Sequence, residues 1–240
     1  MVHLLFYKIL NDNDVNYINN LNNIKDDISR KKSLYIIIYI KIYYILKLKQ
    51  MTNIKLTQIN NNKILVCIIE YGTTKKIEKI LNELNIEYFT INPYDNPKIK
   101  PTHIILSGGP DHVYEINHRP LPKWVIDIDS KVLGICYGMQ LIAHTFGGIV
   151  SRMKEKEEGL YNVYEYIPKL DNDNTKIIKR WFNRFDNVYK VPDNFTILGY
   201  SEKNFIISIT DNIKYWGVQY HPEINKAKDI TLFTHFLSIF

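Results

Sequence analysis

The sequence predicts an α/β domain on an open, mostly parallel, doubly wound sheet, with helices on both faces and a small antiparallel edge. Three observations predict it. Between Lys63 and Glu70 runs an unbroken apolar stretch of strand length, as a central parallel strand buried on both faces requires. From there to Gly148, strand-like and helix-like segments alternate across short loops, the pattern of successive βαβ units. After Gly148 the segments become short and alternate in polarity, as antiparallel strands at one edge would.

Taken in order, the first strand carries Cys67 at its middle, a position that reads as core. Residues 73–85 place Ile77, Ile80, Leu81 and Leu84 at helical spacing. Ile86 to Ile91 reads as a second strand, followed by the loop Asn92-Pro-Tyr-Asp-Asn-Pro97. His103 to Leu106 make a third strand, broken by Ser107-Gly-Gly-Pro110, and residues 122–129 a short helix. Val132, Leu133 and Ile135 form a fourth strand that runs into Cys136. The segment after it repeats Met139, Ile142, Ala143 and Phe146 on one helical face. Tyr161–Ile167, Asn187–Val191, Thr196–Ser201, Phe205–Ile209 and Lys214–Tyr220 are the expected edge strands. Ala227 to Ile239 closes the chain as an amphipathic helix.

Residues 63–240 account for this domain, and residues 1–62 form an extension of different character. The extension has no Gly, no Pro and eleven Asn, a bias that points to AT-rich coding rather than to a packed core. Its apolar run, Leu34 to Leu48, is fifteen residues long with Lys41 and Lys47 inside. That is short of the roughly 20 residues that span a bilayer, and no small-residue cleavage site follows it, so membrane anchoring is not expected. A β-prone or helical appendage, or sequence upstream of a second start at Met51, fits better. The formal charge of +6 is concentrated here: the extension holds nine basic and four acidic residues, leaving 22 against 21 in the domain. A near-neutral domain with no basic stripe argues against nucleic acid as partner. Two cysteines of unlike context, Cys67 and Cys136, suggest free thiols in a reducing, cytoplasmic setting.

The chemistry centres on Gly134-Ile-Cys136-Tyr-Gly138. Small residues two before and two after a nucleophile permit a tight strand-to-helix turn that leaves the side chain exposed at the sheet's end. A thiol there meets the free N–H groups of a helix N-terminus, which favour thiolate. Cys136 as a small buried hydrophobe is the plainer alternative. A base is supplied by Trp216-Gly-Val-Gln-Tyr-His-Pro-Glu223. On an extended chain, His221 and Glu223 lie on one side, so the carboxylate can orient the imidazole toward a thiol. The other six histidines show no comparable carboxylate context, and His144 reads as packing on the elbow helix. In Ser107-Gly-Gly-Pro110 the glycines expose backbone N–H groups, so Gly109 can form one half of an oxyanion hole and the Tyr137 N–H the other. The same Ser-Gly-Gly could open an ATP-pyrophosphatase phosphate loop, but Pro110 removes a donor and His112 replaces a hydroxyl residue. The chain has no Walker-type loop and is not expected to bind ATP or a metal itself.

With these segments placed, the chain from about Lys63 to Phe240 resembles the class I (triad) glutamine amidotransferases. Gly134-Ile-Cys-Tyr-Gly-Met-Gln140, Leu106-Ser-Gly-Gly-Pro110 and Trp216 to Glu223 look most like the glutaminase domain of GMP synthetases, with Tyr137 and Met139 as the specific pair. The resemblance implies that Cys136, His221 and Glu223 hydrolyse L-glutamine through a thioester. It also places Gly108 and Gln140 near bound substrate. ATP and Mg would act on a separate synthetase partner that aminates XMP. A γ-glutamyl hydrolase or peptidase on the same scaffold, or a non-catalytic regulatory homologue, are the alternatives. The chain departs from the family at Asn183-Arg184-Phe185-Asp186, where Ser-His-Gly-Asp is usual. Arg184 could pair with the substrate carboxylate, and the reading preferred from the sequence is a solvated surface charge.

Overall fold

The computed structural model describes residues 64–167, 176–224 and 229–239, all within the unit Asn62–Phe240. The extension at 1–62 and its apolar run lie outside these residues. Among the described residues the strands are β1 (Leu65–Ile69), β2 (Glu87–Ile91), β3 (His103–Leu106), β4 (Lys131–Ile135), β5 (Ile149–Glu165), β6 (Lys176–Lys190), β7 (Thr196–Ser201), β8 (Ile206–Thr210) and β9 (Tyr215–Val218). The helices are α1 (Lys75–Glu83), α2 (Lys123–Asp127), α3 (Tyr137–Thr145) and α4 (Ile230–Ile239).

All nine strands join one sheet in the order β2-β1-β3-β4-β9-β8-β6-β5-β7. The first five are mutually parallel, and β5 to β8 add antiparallel neighbours. This is the expected α/β fold with a parallel core and an antiparallel edge. Because β7 pairs with both β5 and β8, that edge curls back on itself.

Alternation along each buried strand sorts its side chains between two cores. Val66, Ile68, Ile105 and Leu133 meet Ile77, Ile80 and Leu81 of α1 and Leu232, Phe233 and Phe236 of α4. Cys67, Ile69, Ile104 and Val132 meet Val125 of α2 and Leu141, Ile142 and Ala143 of α3. The sheet therefore has helices on both faces. Cys67 is fully buried, and burial pushes its thiol up to about 12. α1 ends where Asn85 adopts a left-handed φ of 55° and Ile86 N–H turns back to the Leu81 carbonyl at 2.9 Å.

The antiparallel strands are longer than their sequence suggests. β5 begins at Ile149 rather than Tyr161, and β6 begins at Lys176 rather than Asn187. A register shift between Arg152 and Glu157 interrupts the alternation of β5, and several inward positions are charged. Glu165 and Arg180 pair at 2.9 Å, and Glu157 and Arg184 at 2.7 Å, all four buried. Arg184 is thus no surface charge: its guanidinium gives two hydrogen bonds to Glu157, a third to Asn187, and lies 4.8 Å from the Phe182 ring centroid. Burying a guanidinium without such partners would cost several kcal/mol, about the penalty for an uncompensated ion.

Candidate active site

Parallel β1, β3, β4 and β9 end at the same side of the sheet, where open α/β sheets place their sites. Their exits carry Gly72, the segment from Ser107, Cys136 and the stretch to His221 to the rim of one cavity of about 580 Å³. Cys136, Gly108, Gly109, Gln140, His221 and Glu223 all line it.

Cys136 sits between β4 and α3 with φ 52° and ψ −104°, a conformation a non-glycine residue holds only under constraint from its surroundings. Its N–H donates to the Val218 carbonyl of β9 at 2.8 Å, and its Sγ lies 3.9 Å from the Asn183 carbonyl. The turn closes because its glycines leave no room for side chains. A Cβ on Gly134 would stand 2.5 Å from the Gly138 carbonyl carbon, and one on Gly138 would stand 2.5 Å from the Leu106 carbonyl oxygen. The first turn of α3 leaves the Tyr137 N–H without an intrahelical partner. The Tyr137 side chain points away, its ring 5.1 Å from Tyr71 and its hydroxyl donating to the Arg119 carbonyl at 2.7 Å.

His221 follows β9 by three residues, its N–H bound to the Trp181 carbonyl of β6 at 2.8 Å. Its Nδ1 meets Glu223 Oε1 at 2.7 Å. The expected pairing holds, but through a turn at Pro222 and Glu223 rather than an extended chain: the Ile224 N–H folds back to the His221 carbonyl at 3.3 Å. Burial pushes the imidazole's pKa down. Negative charge on the Cys136 sulfur and then Glu223 together push it up by more, and it stands well above the ordinary histidine range. Glu223 Oε2 is buried without a hydrogen-bond partner among the described residues. Over these groups passes Gly108, whose absent Cβ would lie 2.9 Å from His221 Cε1 and 3.5 Å from Cys136 Cβ. Ser107 anchors that segment by accepting the Tyr71 and Gly72 N–H groups at 2.9 and 3.2 Å.

The far wall holds what the sequence reading missed. His112 Nδ1 donates to Asp186 Oδ2 at 2.5 Å and the Tyr114 hydroxyl to Oδ1 at 3.0 Å. His112 therefore has a carboxylate partner after all, 74 residues away, which no local pattern reports. Gln140 Nε2 donates to the Asp186 carbonyl and to Gln219 Oε1, both at 3.3 Å. His144 is exposed at the end of α3 and meets His118 edge-on at 5.7 Å, so it packs at the surface. At the mouth, Phe185 carries Arg152 at 5.1 Å and Lys156 at 5.3 Å over its ring.

The pattern described as "Glutamine amidotransferase class-I" matches residues 67–238, most of the chain. The chain belongs to the class I glutamine amidotransferases. Among its relatives, the glutamine-hydrolyzing GMP synthase of Thermosipho melanesiensis is 34% identical over 171 residues, 68% of this chain and 33% of the relative. That of Bacillus subtilis is 34% identical over 184 residues, 72% of this chain and 35% of the relative. The chain thus spans about a third of the length of these relatives. In fold it is similar to a Thermoplasma acidophilum protein assigned as one subunit of a GMP synthase, with a TM-score of 0.64 at 23% identity, covering 73% of this chain and 93% of that one. It is also similar to a glutamine amidotransferase of Thermotoga maritima, with a TM-score of 0.60 at 22% identity, covering 72% and 83%. Among the described residues, no helix of this amidotransferase is long and apolar enough to cross a membrane.

Proposed function

We propose that residues 63–240 form a glutaminase of the GMP synthetase type, which hydrolyses L-glutamine and supplies ammonia to a separate synthetase in the cytoplasm. One observation carries the reading. The constrained Cys136 shares a cavity with a His221 bound to Glu223, and Gly108 presses against both.

In this reading Cys136 Sγ attacks the side-chain amide carbon of glutamine while its proton passes to His221, held in orientation by Glu223. The C=O bond opens, and the N–H groups of Gly109 and Tyr137 stabilise the oxyanion. Collapse breaks the C–N bond, and ammonia leaves with the proton from His221. Water, deprotonated by His221, then attacks the γ-glutamyl thioester and releases glutamate with the thiol restored. Gly108 and Gln140 border the bound substrate. The chemistry of this half-reaction needs no cofactor; ATP and Mg would serve the synthetase that aminates XMP. The relatives matched over this stretch are glutamine-hydrolyzing GMP synthases, which supports the GMP synthetase type of the reading.

The test is glutamate release by the purified protein and by Cys136→Ala, each alone and with a synthetase subunit, XMP and ATP. Release that the mutant loses, and that the synthetase with its nucleotides raises, is the expected result. Equal release by both proteins would sink the Cys136 mechanism. Release indifferent to any synthetase would favour an independent γ-glutamyl hydrolase.

A further inference from the structure

Three walls of the cavity meet at Asp186. Its carboxylate takes His112 and Tyr114 from the segment after β3, and its carbonyl takes Gln140 from α3. The inner end of that segment is fixed separately. Ser107 holds it to Tyr71 and Gly72, while Asp111 is bound by Arg119, which also donates to the Tyr71 carbonyl. These contacts tie the segment to the chain after β1, and His112 and Tyr114 add the tie across the cavity to β6. Of these two ties His112 makes the shorter, at 2.5 Å against 3.0 Å for Tyr114. Its 2.5 Å bond reaches a carboxylate that is 4% exposed, where charge-assisted hydrogen bonds are short and directional. Its ring stacks on Tyr114, centroids 5.5 Å apart, so the imidazole is held from its face as well as its edge.

His112 lies three residues beyond Gly109, and Asp186 three residues beyond Asn183, whose carbonyl is 3.9 Å from Cys136 Sγ. Three residues of extended chain span about 10 Å. That span is an outer limit, so the strut is near enough to set where the glycine backbone crosses the thiol. An oxyanion donor must stand about 2.7–3.1 Å from the developing charge, so small changes in the height of that crossing matter.

We propose that His112 is a positioning residue: braced on Asp186, it holds the Gly108–Gly109 backbone at the height over Cys136 that oxyanion stabilisation requires. This rests on the glutaminase reading above, in which Gly109 donates to the oxyanion. It acts on the transition state more than on substrate binding.

The experiment compares the full-length protein with His112→Ala and with His112→Asn, whose amide can still donate to Asp186. Glutamine hydrolysis in the presence of the synthetase subunit gives kcat and KM. Inactivation by 6-diazo-5-oxo-L-norleucine gives a rate that needs no turnover: the S–C bond forms, dinitrogen leaves, and the thiol proton ends on the same carbon. Iodoacetamide, which alkylates Sγ with loss of iodide, reads the thiol without an oxyanion donor. His112→Ala is expected to lower kcat and the diazoketone inactivation rate about 10- to 100-fold, by partial loss of a donor whose full removal costs about 10²–10³. KM should stay within about threefold, His112→Asn should recover most of the loss, and iodoacetamide labelling should stay within about twofold. The proposal is overturned if His112→Ala keeps its kcat, if the change falls on KM alone, or if iodoacetamide labelling drops in parallel, which would mark a collapsed site. If iodoacetamide labels wild-type Cys136 and the diazoketone does not, the glutaminase reading itself fails, and this inference with it.

Discussion

Gly108→Ala should silence the site while leaving the fold standing. The new Cβ would lie 2.9 Å from His221 Cε1, against a comfortable carbon–carbon separation of about 3.5–4.0 Å. The Gly108 backbone is not in the left-handed region, so the cost is one of space alone. The Gly108 segment is pinned through Ser107, and the His221 backbone is pinned to Trp181, so the imidazole has to yield by about 0.6 Å or more. Its hydrogen bond to Glu223, 2.7 Å long, strains with it. A displacement approaching 1 Å of a catalytic group costs on the order of 100-fold, about 2.7 kcal/mol of barrier. The ring borders an open cavity and can move into it, so the melting temperature should change by no more than about 3 °C. Gly138→Ala is the counterpart: its Cβ would meet the Leu106 carbonyl oxygen at 2.5 Å and the Leu106 Cβ at 2.8 Å, both in the packed turn. Overpacking of that kind costs about 1–3 kcal/mol and should appear as lost stability. The assay is glutamine hydrolysis in the presence of an added synthetase subunit, as the proposed function requires, beside thermal melting of each variant. Full activity in Gly108→Ala would refute the argument that this backbone sets the approach of His221 to Cys136.

Cys136→Ala should lower the His221 pKa, because the thiol is the strongest of the influences raising it while burial works in the opposite direction; an NMR titration of the imidazole Cε1 proton checks this, and an unchanged value would contradict it. The raised His221 pKa also fixes a sign for stability: its contribution is full below about pH 6.5, the unfolded value, and fades as the pH rises through the native one, which denaturant titrations of wild type and His221→Gln across that window would show. Arg184→Met leaves Glu157 buried with, among the described residues, only the more distant Lys203 at 3.3 Å, so chemical denaturation should report a loss of about 3–5 kcal/mol; a neutral result would mean the pair contributes little. At pH 8, iodoacetamide should modify Cys136 and spare Cys67, whose thiol is buried and raised to about 12; mass spectrometry of the labelled peptides decides it.

The division between what was legible and what was not follows the range of the interactions. Local signals carried the parallel half: an apolar run between Lys63 and Glu70 fixed β1, helical spacing of Ile77, Ile80 and Leu81 fixed α1, and the glycines around Cys136 announced the turn before α3. His221 and Glu223 were legible because they stand two positions apart in the chain, even though the contact forms through a turn. The long strands β5 and β6 were obscured because their inward positions hold Glu157, Glu165, Arg180 and Arg184, and a charged residue reads as exposed until its partner is known. Arg184 was misread for that reason, and Asp186 carried no signal of its link to His112 across 74 residues. By itself the sequence determined the fold class, the turn at Cys136 and the placing of His221 beside Glu223, since these rest on periodicity and neighbouring residues. Only the tertiary structure decided which charges are buried and which wall each cavity residue braces. Such pairings are chosen by the approach of distant strands, and desolvation makes them obligatory once the strands meet.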